Sequence, residues 1–168
     1  MRSKVKMAAA EDAAKLLKAA WGNATPVDPV AIARTAGLRV LEAELDEKTL
    51  GALVKNPGED PVILLNQSDS DNRRRFTCAH ELGHFVRRSE EEDEYATVDL
   101  RNPLSAVGLD PDEIYANEFA ASLLMPEDDV RSFAEKGMDD LEMAIHFKVS
   151  REAMQHRLKN LDLAVAVA

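Results

Sequence analysis

Two histidines four positions apart, with a glutamate directly after the first, constrain this chain more than any other feature. His80-Glu81-Leu82-Gly83-His84 reads HELGH. Spacing i, i+4 puts both imidazoles on one face only if the segment is helical. The fold must therefore place a helix here and bring something else up to that face. Two nitrogens so placed can hold a Zn2+. Glu81 projects beside them, where it can take a proton from a water on the metal. The pattern points to a metal-dependent hydrolase of the metalloprotease type. The plain alternative is two surface or capping histidines on an ordinary helix, so the surroundings decide.

The 168 residues suffice for one domain with a core, and 45% hydrophobic with 31% charged residues is ordinary for a soluble globular chain. No apolar run approaches the roughly 20 residues of a membrane span. The N-terminal stretch is Ala-rich, but Glu11, Asp12, Lys15 and Lys18 interrupt any signal-peptide core, so a surface helix is expected there. The single Cys78 excludes an internal disulfide, and a cytoplasmic location is the expectation. Net charge is −10, which disfavours a dedicated nucleic-acid binder and suits a basic protein partner.

Helical spacing over residues 4–20 stops at Trp21-Gly22-Asn23. Asp28-Pro29 reads as N-cap and N1 of a short helix closed by Gly37. Residues 38–45 begin with strand-like alternation. Leu50–Val54 and Val62–Leu65 flank a Pro- and Gly-containing turn, a hairpin signal. Asp69–Arg88 reads as one helix capped by Ser68 or Ser70, with residues 89–109 after it as loop. A helix is expected from Asp110-Pro111 to about Met125, a short one from Glu127, and a last pair over 138–147 and 150–161.

A catalytic zinc needs a third protein ligand. His146 and His156 lie far along the chain, and no histidine follows the motif closely, as in zincins with a third histidine. The alternative is a carboxylate on the 111–125 helix, where Glu113 and Glu118 are the candidates. Glu113 shares a face with Ala116, Asn117 and Ala120, and the two alanines would let that face approach the HELGH helix. Glu118 falls on another face. Glu113 is therefore the chosen ligand, with Asn117 as a hydrogen-bonding support behind it. Alone, Asp110-Pro111-Asp112-Glu113 would read as a capping box, and HELGH upstream reverses that preference.

Phe76-Thr77-Cys78-Ala79-His80-Glu81-Leu82-Gly83-His84 resembles the FTxAHELGH segment of the ImmA/IrrE family of bacterial and phage metallopeptidases. Glu113 to Pro126 is similar to that family's second signature, ExxANxFAAxLLMP. The resemblance spans about residues 25–160. It implies zinc (Mn2+ is an alternative) held by His80, His84 and Glu113, with Glu81 as general base. It also implies a protein substrate, a helix-turn-helix repressor whose cleavage relieves repression. The sensory and repressor-like domains of some relatives are not seen in this sequence, so the repressor is expected on a separate chain. The expected fold is α+β: a small, mostly antiparallel sheet of about three strands on a zincin-like helical core, residues 1–137. A helix-turn-helix-like C-terminal pair, residues 138–168, is expected to pack on the same unit.

Four other features invite a role. Arg73-Arg74-Arg75 precedes His80 by one to two turns and is either a solvated face or a contact for acidic substrate. The acidic run Glu90–Glu94 is either solvated loop or a surface for a basic partner. Cys78 is read as a small buried residue on the back of the helix. Tyr95, Tyr115 and His146 are the available donors for an oxyanion. The basic residues Arg151, Arg157 and Lys159 on the last helix support a rival reading, a DNA-binding regulator with a vestigial site. A second rival is a silent binding partner of the toxin–antitoxin kind.

Overall fold

The computed structural model describes residues 2–88, 93–101 and 110–166. Helix α1 (Lys4–Ala20) starts where the Ser3 hydroxyl accepts from the Lys6 N–H. In α2 (Pro29–Thr35), Asp28 accepts from the Val30 and Ala31 amides, and Gly37 follows at φ +94°, a conformation that suits glycine. Strands β1 (Arg39–Ala43), β2 (Thr49–Lys55) and β3 (Val62–Asn66) come next, β2 and β3 as the expected antiparallel hairpin. Then follows α3 (Asp71–Arg88), the HELGH helix. Its first turn is capped by Ser70, whose hydroxyl accepts from the Arg73 N–H.

The fold is α+β, as expected, but the sheet has four strands rather than about three. Residues Tyr95–Leu100 form β4, inside the stretch expected to be loop. The rest of that stretch, 89–92 and 102–109, lies outside the described residues, as does Glu90–Glu92 of the acidic run. Strand order is β1-β3-β2-β4. β1 runs parallel to β3 and the other pairs are antiparallel, so β4 is an edge strand. Its alternation is reversed from the usual pattern: Ala96, Val98 and Leu100 face out, while Thr97 and Asp99 face in and are partly covered. Polar side chains toward the interior hide a strand from a reading based on apolar periodicity.

Helix α3 packs on β2 and β3 on one side and on α4 (Pro111–Leu124) on the other. Gly51 of β2 makes the first contact possible: a Cβ there would lie 2.6 Å from the Leu64 carbonyl oxygen and from Thr77 Cγ2. Helix α5 (Glu127–Glu135) follows Pro126. Helices α6 (Asp140–Phe147) and α7 (Arg151–Asn160) close the described chain, α6 with a full capping box between Asp139 and Glu142. This pair is tied to the rest by polar contacts. His146 Nε2 bonds Thr25 Oγ1 at 2.7 Å, Arg75 donates to the Phe147 and Lys148 carbonyls, and Arg157 faces Glu118. The core includes Leu53, Ile63, Leu82, Phe119, Leu123, Met143 and Phe147, all fully buried. Among the described residues no helix is long and apolar enough to cross a membrane.

Candidate metal centre

Helix α3 carries His80 and His84 one turn apart, both buried, on the face toward α4. Helix α4 brings Glu113 to the same point from its first turn. Asp110 caps α4 by accepting from the Asp112 amide, so the Glu113 carboxylate is spent on the histidines instead of on the helix end. His84 Nε2 lies 2.9 Å from Glu113 Oε1, His80 Nε2 lies 3.3 Å from Glu113 Oε2, and the two Nε2 atoms are 3.2 Å apart. Four ligands about 2.05 Å from a tetrahedral zinc would stand about 3.3 Å from each other. The edge between the imidazoles and the two edges to the carboxylate, one to each Glu113 oxygen, are close to that size, and the donor set of two imidazoles and a carboxylate suits a small divalent cation.

Asn117, one turn along α4 from Glu113, accepts from His80 Nδ1–H at 2.9 Å. That bond assigns the proton to Nδ1 and leaves the Nε2 lone pair facing the cluster. The close approach of the helices depends on Gly83 and Ala116. A Cβ on Gly83 would meet Phe119 Cβ and Cδ1 at 3.1 Å and Ala116 Cα at 3.2 Å.

Glu81 is fully buried. Thr97 of β4 donates its hydroxyl to Glu81 Oε2 at 3.1 Å, while Oε1 has no hydrogen-bond partner among the described residues. Burial pushes the Glu81 carboxyl up to about 7. His80 opposes that shift, and Asp99 adds to it. Burial pulls His80 down, but the bond to Glu113 and the carboxylates of Asp99, Glu81 and Glu113 outweigh it and hold the imidazole up at about 9. Hydrogen bonds from His80 and His84 hold Glu113 well below the usual carboxylate range.

Asp99, the other inward residue of β4, sits 3.9 Å from His80 Nε2, and burial raises its carboxyl above the ordinary value. His80, Glu81 and Asp99 form a second group with metal-ligand spacing. Both groups, however, depend on His80. Its Nδ1 is taken by Asn117, and a single Nε2 lone pair serves one ion, so the two are alternatives. The group with two imidazoles is the stronger donor set for zinc. Thr97 and Asp99 are functional residues that the sequence reading misses, since they lie in the stretch 89–109 expected to be loop. The signal available was Tyr95, Thr97 and Val98, three strand-favouring residues within four positions.

Other candidates lie elsewhere. Glu118 is buried 3.4 Å from Arg157, away from the histidines. His146 is wedged against Phe133 and Phe147, and His156 is exposed on α7 beside Glu152. Tyr115 donates to Asp12 at 2.6 Å. Cys78 is buried, and burial pushes its thiol up to about 12, in keeping with an inert packing role. Within the arginine triplet, Arg74 binds the Gln67 and Asp69 carbonyls and Arg75 the Val27, Phe147 and Lys148 carbonyls, so both are used within the fold. Arg73 is exposed.

No curated protein matches this chain. Residues 33–159, three quarters of the sequence, match the IrrE N-terminal-like domain, a peptidase family. That span holds every residue of the cluster just described, and the chain belongs to this family.

Proposed function

We propose that this chain is a zinc-dependent endopeptidase that cuts a helix-turn-helix repressor carried on a separate chain, and so relieves repression. The observation that carries the catalytic part is the convergence of His80 Nε2, His84 Nε2 and the Glu113 carboxylate beside the buried Oε1 of Glu81, which has no hydrogen-bond partner among the described residues. His80, His84 and Glu113 would hold the metal. A zinc ion there supplies Lewis-acid polarisation of a carbonyl and makes water more acidic. Glu81 would take the proton of the attacking water at Oε1 and pass it to the leaving amine, while Thr97 holds Oε2 and sets the carboxylate's rotation. A carboxyl lifted toward neutral pH is suited to both halves of that transfer. The repressor as substrate rests on the family resemblance of the two signatures.

The rival DNA-binding reading draws no support from α7. Arg157 is buried against Glu118, and Arg151, though partly exposed, is paired with Asp140 at 2.8 Å, so two of the three cations that suggested it are engaged within the fold. The test is to replace Glu81 with Gln and incubate the zinc-loaded protein with a small helix-turn-helix repressor encoded beside it. Cleavage should fall by at least about 100-fold while zinc content stays at the wild-type level. Full activity in that variant, or cleavage by wild type that survives a chelator, refutes the mechanism.

A further inference from the structure

Upstream of His80, α3 forms one wall of a groove of about 720 Å³ shared with α4 and α7. Asn117 lines it and holds His80 Nδ1, so the groove ends behind His80, next to the metal centre but not lined by His80, Glu81, His84 or Glu113. Phe76, Ile114, Ala121 and Ala153 give it apolar surface, and Lys6 and Arg73 stand at its rim. Of the two acids of its wall, Glu118 is paired with the buried Arg157, while Glu152 is exposed with His156 3.8 Å away. Arg73 differs from its two neighbours. Arg74 and Arg75 reach inward to backbone carbonyls, whereas the Arg73 guanidinium has no hydrogen-bond or ion-pair partner among the described residues, its charge acting at longer range on Asp99.

We propose that this groove is the subsite that selects the substrate peptide, Arg73 binding an acidic side chain and Phe76 with Ile114 an apolar one. The proposal rests on the peptidase reading above and adds the substrate's chemistry. Helix geometry sets the spacing. Arg73 precedes His80 by seven residues, two turns back on the same face and about 10 Å along the axis. An extended peptide rises about 3.3 Å per residue, so the acid falls about three residues from the scissile bond. Phe76 is one turn from His80, about 6 Å, which puts the apolar residue about two positions from the bond, on the same side.

The test has a turnover arm and a binding arm. In the first, zinc-loaded wild type and Arg73→Glu cut a library of internally quenched ten-residue peptides, and products are sequenced. Wild type should favour Asp or Glu three residues from the cut. Arg73→Glu should lose at least about tenfold in kcat/KM on those peptides and favour Lys there, with zinc content unchanged. Arg39→Glu, the same charge change on an exposed residue of β1, should keep the wild-type preference. In the second, immobilised Glu81→Gln selects from the same library without turnover and should retain acidic, apolar-bearing peptides, and Arg73→Glu in that background should release them. Cleavage without acidic preference, or a preference indifferent to Arg73→Glu, overturns the groove proposal. Selection of acidic peptides that wild type never cuts sustains the groove and sinks the peptidase reading. Neither cutting nor selection overturns both.

Discussion

His80 is held ready for a cation by groups that also hold a proton. Its Nδ1–H is fixed by Asn117, and its Nε2 faces Glu113 at 3.3 Å with Asp99 and Glu81 nearby. In the metal-free protein these carboxylates keep the imidazole charged until about pH 9. A metal needs the neutral form, so it must displace that proton. Because the pKa is raised, the competition is strongest below 9 and fades above it. Apparent metal affinity should therefore fall about tenfold for each pH unit below 9 over which His80 alone titrates, and binding near pH 7.5 should release about one proton. Calorimetry in buffers of different ionisation enthalpy reads the proton count directly. Release of no proton near pH 7.5 would show that His80 is neutral in the free protein. At this scale the chain was readable because HELGH and Glu113 each carry their chemistry in a local helical spacing. Thr97 and Asp99 were not, since their relevance comes only from a strand pairing that brings residues 16 and more positions away beside Glu81.

At the scale of elements, the site exists because α3 and α4 come unusually near each other. Gly83 faces Ala116 and Phe119 across that contact, and both neighbours are fully buried. Gly83→Ala improves helix propensity by up to about 1 kcal/mol, yet puts a methyl group 3.1 Å from the Phe119 side chain and 3.2 Å from Ala116 Cα, so that α4 must shift to admit it. Overpacking of this kind costs about 1–3 kcal/mol, so the second effect wins. The shift falls on the turn after Glu113, which moves its carboxylate off the histidines. Thermal denaturation should show a lower Tm, and chelator competition should show metal affinity weaker by about tenfold or more. A Gly83→Ala protein with raised Tm and unchanged affinity would mean the helix contact is not what sets the ligand geometry. The helices themselves were legible from caps such as Asp28, Asp110 and Ser150, each of which accepts from a first-turn amide. β4 escaped because two of its three inward residues, Thr97 and Asp99, are polar and face the site, leaving only Tyr95 to the core.

For the whole molecule, the question is whether the C-terminal helices are part of the machine or an appendage. Arg157 of α7 answers it by where its guanidinium ends. It donates to the Met125 carbonyl at the C-cap of α4 and lies 3.4 Å from Glu118, on the helix that carries Glu113, with both side chains almost fully buried. Burial lowers the Arg157 pKa to about 10, which leaves it charged at neutral pH. Removing one member of a buried pair strands the other without water, whereas replacing both by apolar groups removes the problem. Arg157→Met should therefore destabilise the protein by about 3–5 kcal/mol in urea denaturation, and adding Glu118→Leu should recover most of that loss. If α7 is integral, unfolding followed at Trp21 and by far-ultraviolet circular dichroism should stay a single coincident transition in wild type. A cost below about 1 kcal/mol for Arg157→Met, or a separate early transition, would mean that α7 only rests on the peptidase core. The groove it walls with Arg73 would then lose its fixed third side.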